Sequence, residues 1–189
     1  MGIIRRFFGS LSRSDSARKA ARSQLKAAKR GDREQYLSLA SNYVDLAQTF
    51  LGCSSAEPAE MRIARVTQIF NELWQDLPYS ERLSDFEYML ARALIESTSE
   101  QGLTTSTEAL VIKLRRLNPE SRFAFLAYTF GNWPPRWIAL IMRITRAMFE
   151  KRECRAQANV NDPAFAFMGI AAQRRRAKAM IILAWRALN

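Results

Sequence analysis

Residues 117–158 read LNPESRFAFLAYTFGNWPPRWIALIMRITRAMFEKRECRAQA, and the breaks in this stretch decide the fold. Asn118 can cap a helix, and Pro119 suits its first position because the N–H it lacks would go unused there. Phe123, Phe125, Leu126 and Phe130 are the apolar positions of that helix, and Gly131 stops it. Pro134 and Pro135 then open a short helix containing Trp137, Ile138, Ile141 and Met142. A break at 143–145 follows, and Thr145 can cap a further helix to about Ala158. Two short helices joined by so short a turn make a helix-turn-helix candidate.

The same punctuation extends in both directions. A basic, Ala-rich helix at about 15–30 stops at Gly31, and Asp32 with Gln35 forms a capping-box pattern for the next. Tyr36, Leu39, Tyr43, Leu46, Ala47 and Phe50 make that second helix's apolar stripe, which Gly52 ends. A third helix is expected over about 57–76, with Met61, Val66, Ile69, Phe70, Leu73 and Trp74 at helical spacing before Pro78. Ser84 with Glu87 repeats the capping pattern ahead of Phe86, Met89, Leu90, Ala93 and Leu94. Residues 97–107, STSEQGLTTST, are polar and nearly uncharged, the composition of a linker. A helix over about 108–117 precedes Asn118, and Asp162-Pro163 starts a last helix with Arg174, Arg175 and Arg176 in its middle. No strand-like alternation of useful length is present.

The expected fold is therefore all-α: two small helical modules joined by a polar linker, the second with the helix-turn-helix, plus an extra C-terminal helix. The boundaries fall at 1–31 (a basic N-terminal extension), 32–96 (first module), 97–107 (linker), 108–158 (second module) and 159–189 (C-terminal basic helix).

Composition narrows the function. The 189 residues include 29 Lys and Arg, 18 Asp and Glu, two cysteines and no histidine. With Cys53 and Cys154 far apart and no histidine, no zinc spacing, CxxC pair, Ser-His-Asp triad or Cys-His dyad can be written. Asp85 with Glu87 and Glu150 with Glu153 are the close carboxylate pairs, but no nucleophile or Gly-rich phosphate loop accompanies them. The expectation is a non-enzyme without cofactor or metal. No apolar run reaches the roughly 18 residues of a membrane span, and two reduced cysteines suit a cytoplasmic protein.

The formal net charge of +11 is unevenly placed. Residues 1–33 hold 10 basic and 2 acidic side chains, residues 34–135 hold 8 and 13, and residues 136–189 hold 11 and 3. Basic ends around an acidic middle suit a polyanion held at the ends. Solvated helix faces are the plainer reading of the same runs.

The order of elements and several short strings resemble the extracytoplasmic function group of bacterial sigma factors. Gly31-Asp32 through Tyr36 and Tyr43, Leu51-Gly52, the acidic stretch 57–60, Phe70 and Leu73-Trp74 are similar to the family's first module, its region 2. Phe86 and Leu90 continue it, with Tyr88 and Met89 where the family has Trp. Leu117 to Arg122 is similar to the Leu-Pro-x-x-x-Arg opening of the second module, region 4, with one residue inserted. Ile138-Ala139, Ile144-Thr145 and Arg155-Ala156 are similar to its helix-turn-helix string. The resemblance spans about residues 25–158. It implies a transcription regulator that binds core RNA polymerase and double-stranded promoter DNA, with an anti-sigma factor as a further partner.

Two departures stand beside these matches. The positions that face the polymerase in the family read Ala64, Thr67 and Gln68 here, and the segment that melts the promoter corresponds to 96–105, which has no Lys or Arg. Strand opening needs aromatic platforms and cations, and this stretch has neither. A second reading is therefore a sigma mimic that binds an anti-sigma factor or another protein without initiating transcription.

If 146–157 is a recognition helix, Arg146, Glu150 and Lys151 are its base-facing candidates, and Arg136, Arg143, Arg152 and Arg155 the phosphate contacts. Ordinary i to i+4 ion pairs on a solvated face are the alternative. Phe149 must point inward for either to hold. The N-terminus, with Ile3, Ile4, Phe7, Phe8 and Leu11 beside Arg5, Arg6 and Arg13, has the pattern of an interfacial amphipathic helix, which leaves a peripheral membrane contact as a third reading, and also resembles a transit peptide. A mobile basic tail is its plainer reading.

Overall fold

The computed structural model describes residues 15–55, 57–98, 109–129 and 133–151. Within them every regular element is helical. In chain order these are α1 (Asp15–Ala28), α2 (Arg33–Ser41), α3 (Val44–Ser54), α4 (Ala59–Gln75), a 3-10 turn (Leu77–Tyr79), α5 (Leu83–Ser97), α6 (Ala109–Arg115), α7 (Pro119–Thr129) and α8 (Pro135–Ile141). Residues 146–151 begin a further helix, α9. The expected N-terminal extension before 15, most of the polar linker and the C-terminal helix lie outside the described residues. No described helix is long and apolar enough to cross a membrane.

The chain turns where its small and polar residues allow it. Gly31 takes φ 92°, the left-handed conformation that closes α1. Its N–H donates to Ala28 O (2.9 Å) and that of Asp32 to Ala27 O (3.3 Å), the two bonds of a Schellman motif. Asp32 then caps α2, accepting from the Gln35 N–H at 3.0 Å. The reciprocal arm of a capping box is missing because the Asp32 N–H is already used. Asn118 caps α7 in the expected way, its Oδ1 accepting from Ser121 N at 2.7 Å.

Three expectations need correction. The single helix expected over 32–51 is two: the Asn42 amide donates to Ser38 O (3.1 Å), and the Asn42 and Tyr43 N–H groups bond to Leu39 O and Ala40 O, a tightening that breaks the run before Val44. The cap of α5 is not Ser84 with Glu87. Asp85 accepts from the Arg82 N–H (2.8 Å), and Glu87 points into the core instead. Met61, expected in the apolar stripe of α4, is 55% exposed, because Arg62 and Val66 take the inward positions.

α3 is the centre of the protein. It touches α2, α4, α5, α6 and α7, and Leu46, Ala47, Thr49, Phe50, Leu51, Gly52 and Cys53 are all buried. Apolar character on nearly every face is what a helix surrounded by neighbours requires. The aromatic contacts around it join stretches from both sides of 99–108. Phe50 meets Phe123 (ring centroids 5.7 Å apart), and Tyr43 and Phe123 both meet Trp133 edge-on (6.2 and 6.1 Å). One continuous buried cluster thus runs from Ala21 to Phe149. Arg115 adds a polar tie from α6, donating to Ser55 O at 2.7 Å.

Arg122 is buried, and its guanidinium spans three carbonyls at the end of α6: Leu114 (2.9 Å), Arg115 (3.0 Å) and Leu117 (2.8 Å). These are carbonyls a helix C-terminus leaves without intrahelical partners. Burial lowers the pKa of Arg122. Lysine lacks the fork, so Arg122→Lys should cost about 2 kcal/mol in urea unfolding, with two carbonyls losing their donor. Asp45, in the first turn of α3, has its pKa raised above 3.8 by burial. The folded state then binds the proton more tightly than the unfolded chain, so the ionised carboxylate lowers stability once the pH passes its folded pKa. Asp45→Asn should raise Tm at pH 7, and the gain should shrink as the pH falls toward 3.8.

Candidate nucleic-acid interface

α8 and α9 are joined by a short, well-defined turn. The Arg143 N–H donates to Leu140 O (3.1 Å) and that of Ile144 to Ala139 O (2.9 Å), a second Schellman motif. Arg143 occupies its left-handed position with φ 51°, where glycine is the usual residue. Its guanidinium lies over the Tyr88 ring on α5, 4.2 Å from the centroid, a cation–π contact that offsets some of the backbone cost. Thr145 caps α9, its hydroxyl accepting from Met148 N at 3.2 Å. Phe149 is buried and meets Tyr128 of α7 edge-on at 5.7 Å. Anchored so, α9 turns its remaining described side chains outward.

The expected contact residues are placed as follows. Arg136 is exposed on the first turn of α8, and Lys151 is exposed on α9. Arg146 and Glu150 share one face of α9 and form an i,i+4 ion pair at 2.7 Å, both well exposed. Exposed pairs of this kind contribute little and open readily, so both side chains can turn to another partner. Arg143 is exposed in the turn before α9, with its guanidinium stacked on Tyr88. Arg152 and Arg155 lie outside the described residues.

Behind this surface sits a polar cluster the sequence reading did not anticipate. Glu87 has no exposed surface. Its Oε1 accepts from the Tyr43 hydroxyl and its Oε2 from Trp137 Nε1, both at 2.7 Å. The Arg18 guanidinium lies 3.7 Å from Oε2 and 3.4 Å from the centroid of the Trp137 ring. Four elements thereby meet: α1 through Arg18, the α2–α3 junction through Tyr43, α5 through Glu87 and α8 through Trp137. A signal for Glu87 was in the sequence, since Leu83, Glu87, Leu90 and Leu94 stand at i, i+4, i+7 and i+11, one face of a helix. Arg18 with Ala21, Leu25 and Ala28, at i, i+3, i+7 and i+10, likewise shares one face of α1. The paired carboxylates do not converge, for Asp85 caps α5 at the surface while Glu87 faces inward. Among the described residues no three His, Cys, Asp or Glu side chains are placed to hold a metal ion.

No protein-family model matches the chain, and neither the curated proteins nor the solved structures include a match to it.

Trp137→Phe keeps the ring and removes the indole donor, leaving one oxygen of a buried carboxylate without its closest partner. It should lower stability by about 1.5–3 kcal/mol, the range for a hydrogen bond to a charged group, in denaturant unfolding. Arg146→Ala and Lys151→Ala, both exposed, should change stability by about 0.5 kcal/mol or less, so loss of binding in either reads as loss of contact.

Proposed function

We propose that the protein is a sigma-like transcription regulator that binds promoter DNA through α9 and docks on core RNA polymerase through its first helices. The observation that carries this reading is the capped, inward-anchored α9, which holds Arg146, Glu150 and Lys151 outward behind a short left-handed turn from α8. In a helix-turn-helix the second helix enters the major groove with its N-terminal residues toward the bases, while the first crosses the backbone. Arg146 toward guanine and Glu150 toward cytosine are chemically sensible pairs, and Arg136 and Lys151 supply charge for phosphates. The mechanism is recruitment: phosphate contacts give affinity, and a few side chains of one helix give selectivity.

The sigma mimic remains the second reading, on a specific observation. Ala64, Thr67 and Gln68 are exposed on α4 without charge. A protein that binds an anti-sigma factor alone needs no charged polymerase face.

Two measurements test the proposal. Co-elution with bacterial core RNA polymerase, at salt high enough to screen a +11 protein, should give a stoichiometric complex. Capture by an anti-sigma factor with no polymerase complex favours the mimic. In duplex DNA titrations, Lys151→Ala should weaken binding across sequences and reduce the salt slope by about one. An unchanged slope removes Lys151 from the interface.

A further inference from the structure

Among the described residues, α1, the start of α5 and α8 border a cleft of about 690 Å³. Small-molecule sites occupy roughly 300–1,000 Å³. Its floor is apolar, with Leu25 and Leu83 buried and Trp137 half-buried. Its rim is cationic. Arg22 and Lys26 of α1, Lys29 and Arg30 in the turn that follows it, and Arg82 at the start of α5 are all exposed, against Glu81 as the one carboxylate of the lining.

Arg22 and Lys26 stand at i and i+4 on one face of α1, and Lys29 and Arg30 follow directly in the turn that closes it. Like charges at that spacing destabilise a helix, and the only acid in α1 is Asp15 at its first position. A bound anion would relieve that repulsion.

We propose that this cleft binds a nucleotide-sized polyphosphate, with the phosphates on the cations of α1 and its closing turn and on Arg82, and the apolar part of the ligand over Leu25, Leu83 and the Trp137 edge. Concavity and an apolar floor favour such a ligand over a nucleic-acid strand, whose backbone would leave the floor unused. Because Trp137 also bonds to Glu87, occupancy would stabilise the seat of α8 by mass action. The proposal does not depend on α9 reading DNA.

Isothermal titration of the full chain at about 0.15 M salt, with ATP, GTP and inorganic tripolyphosphate as probes, tests it. Saturable one-to-one binding of a nucleoside triphosphate is expected, with tripolyphosphate weaker. The double variant Lys26→Ala/Arg30→Ala, at two exposed positions, should lose affinity by about tenfold or more, from the loss of two charge-assisted contacts. Lys151→Ala should bind as the wild type does. No saturable binding up to about 1 mM, or affinity unmoved by the double variant, overturns the proposal. Equal affinity for tripolyphosphate overturns the nucleotide assignment. An equal loss of duplex DNA binding in the double variant also overturns it, by making the row part of a nucleic-acid track.

Discussion

Burying a carboxylate costs several kcal/mol unless its oxygens find donors and a counter-charge, and Glu87 imposes that condition on the rest of the protein. Tyr43, Trp137 and Arg18 satisfy it, each from a different part of the chain. Tyr43 reaches Oε1 from the junction of α2 and α3. The stack of Arg18 on Trp137 brings α1 to the same point. A cluster of this kind is also directional: an apolar contact tolerates small slides, whereas a carboxylate with three partners fixes where α8 sits relative to α5.

That fixed position matters for the proposed interface. α8 leads into α9 through a turn whose conformation Arg143 and Thr145 set, and Phe149 anchors α9 against α7. The orientation of the exposed α9 face is thus inherited from the core. The aromatic packing of Phe50, Phe123 and Trp133 around α3 makes the same link, since the helices after 108 complete a core that those before 98 begin. Function at the surface and stability of the interior are two consequences of the same contacts.

Much of this was legible in the sequence. Periodicity gave the all-helical class and most of the core: Tyr36, Leu39, Phe50, Val66, Ile69, Leu90 and Phe123 are buried as their spacing implied. Capping chemistry placed the starts at Asp32, Asn118 and Thr145, because a side-chain acceptor beside an open helix turn is a local signal. Most of what was not legible depended on contacts distant in sequence. Glu87 looks like a cap residue until Tyr43 and Trp137 come to it, and nothing local places Arg143 over the Tyr88 ring. The break at Asn42 is local, an asparagine amide competing for the Ser38 carbonyl, and the apolar stripe that runs past it does not reveal it.

The most direct test of this account is urea unfolding of the wild type and of Glu87→Ala, followed at once by far-UV circular dichroism and tryptophan fluorescence. A core shared by both halves and stapled at Glu87 predicts one transition on which both probes coincide, moved to lower urea as a unit by the substitution. Two separate transitions, with Glu87→Ala moving only one of them, would contradict it.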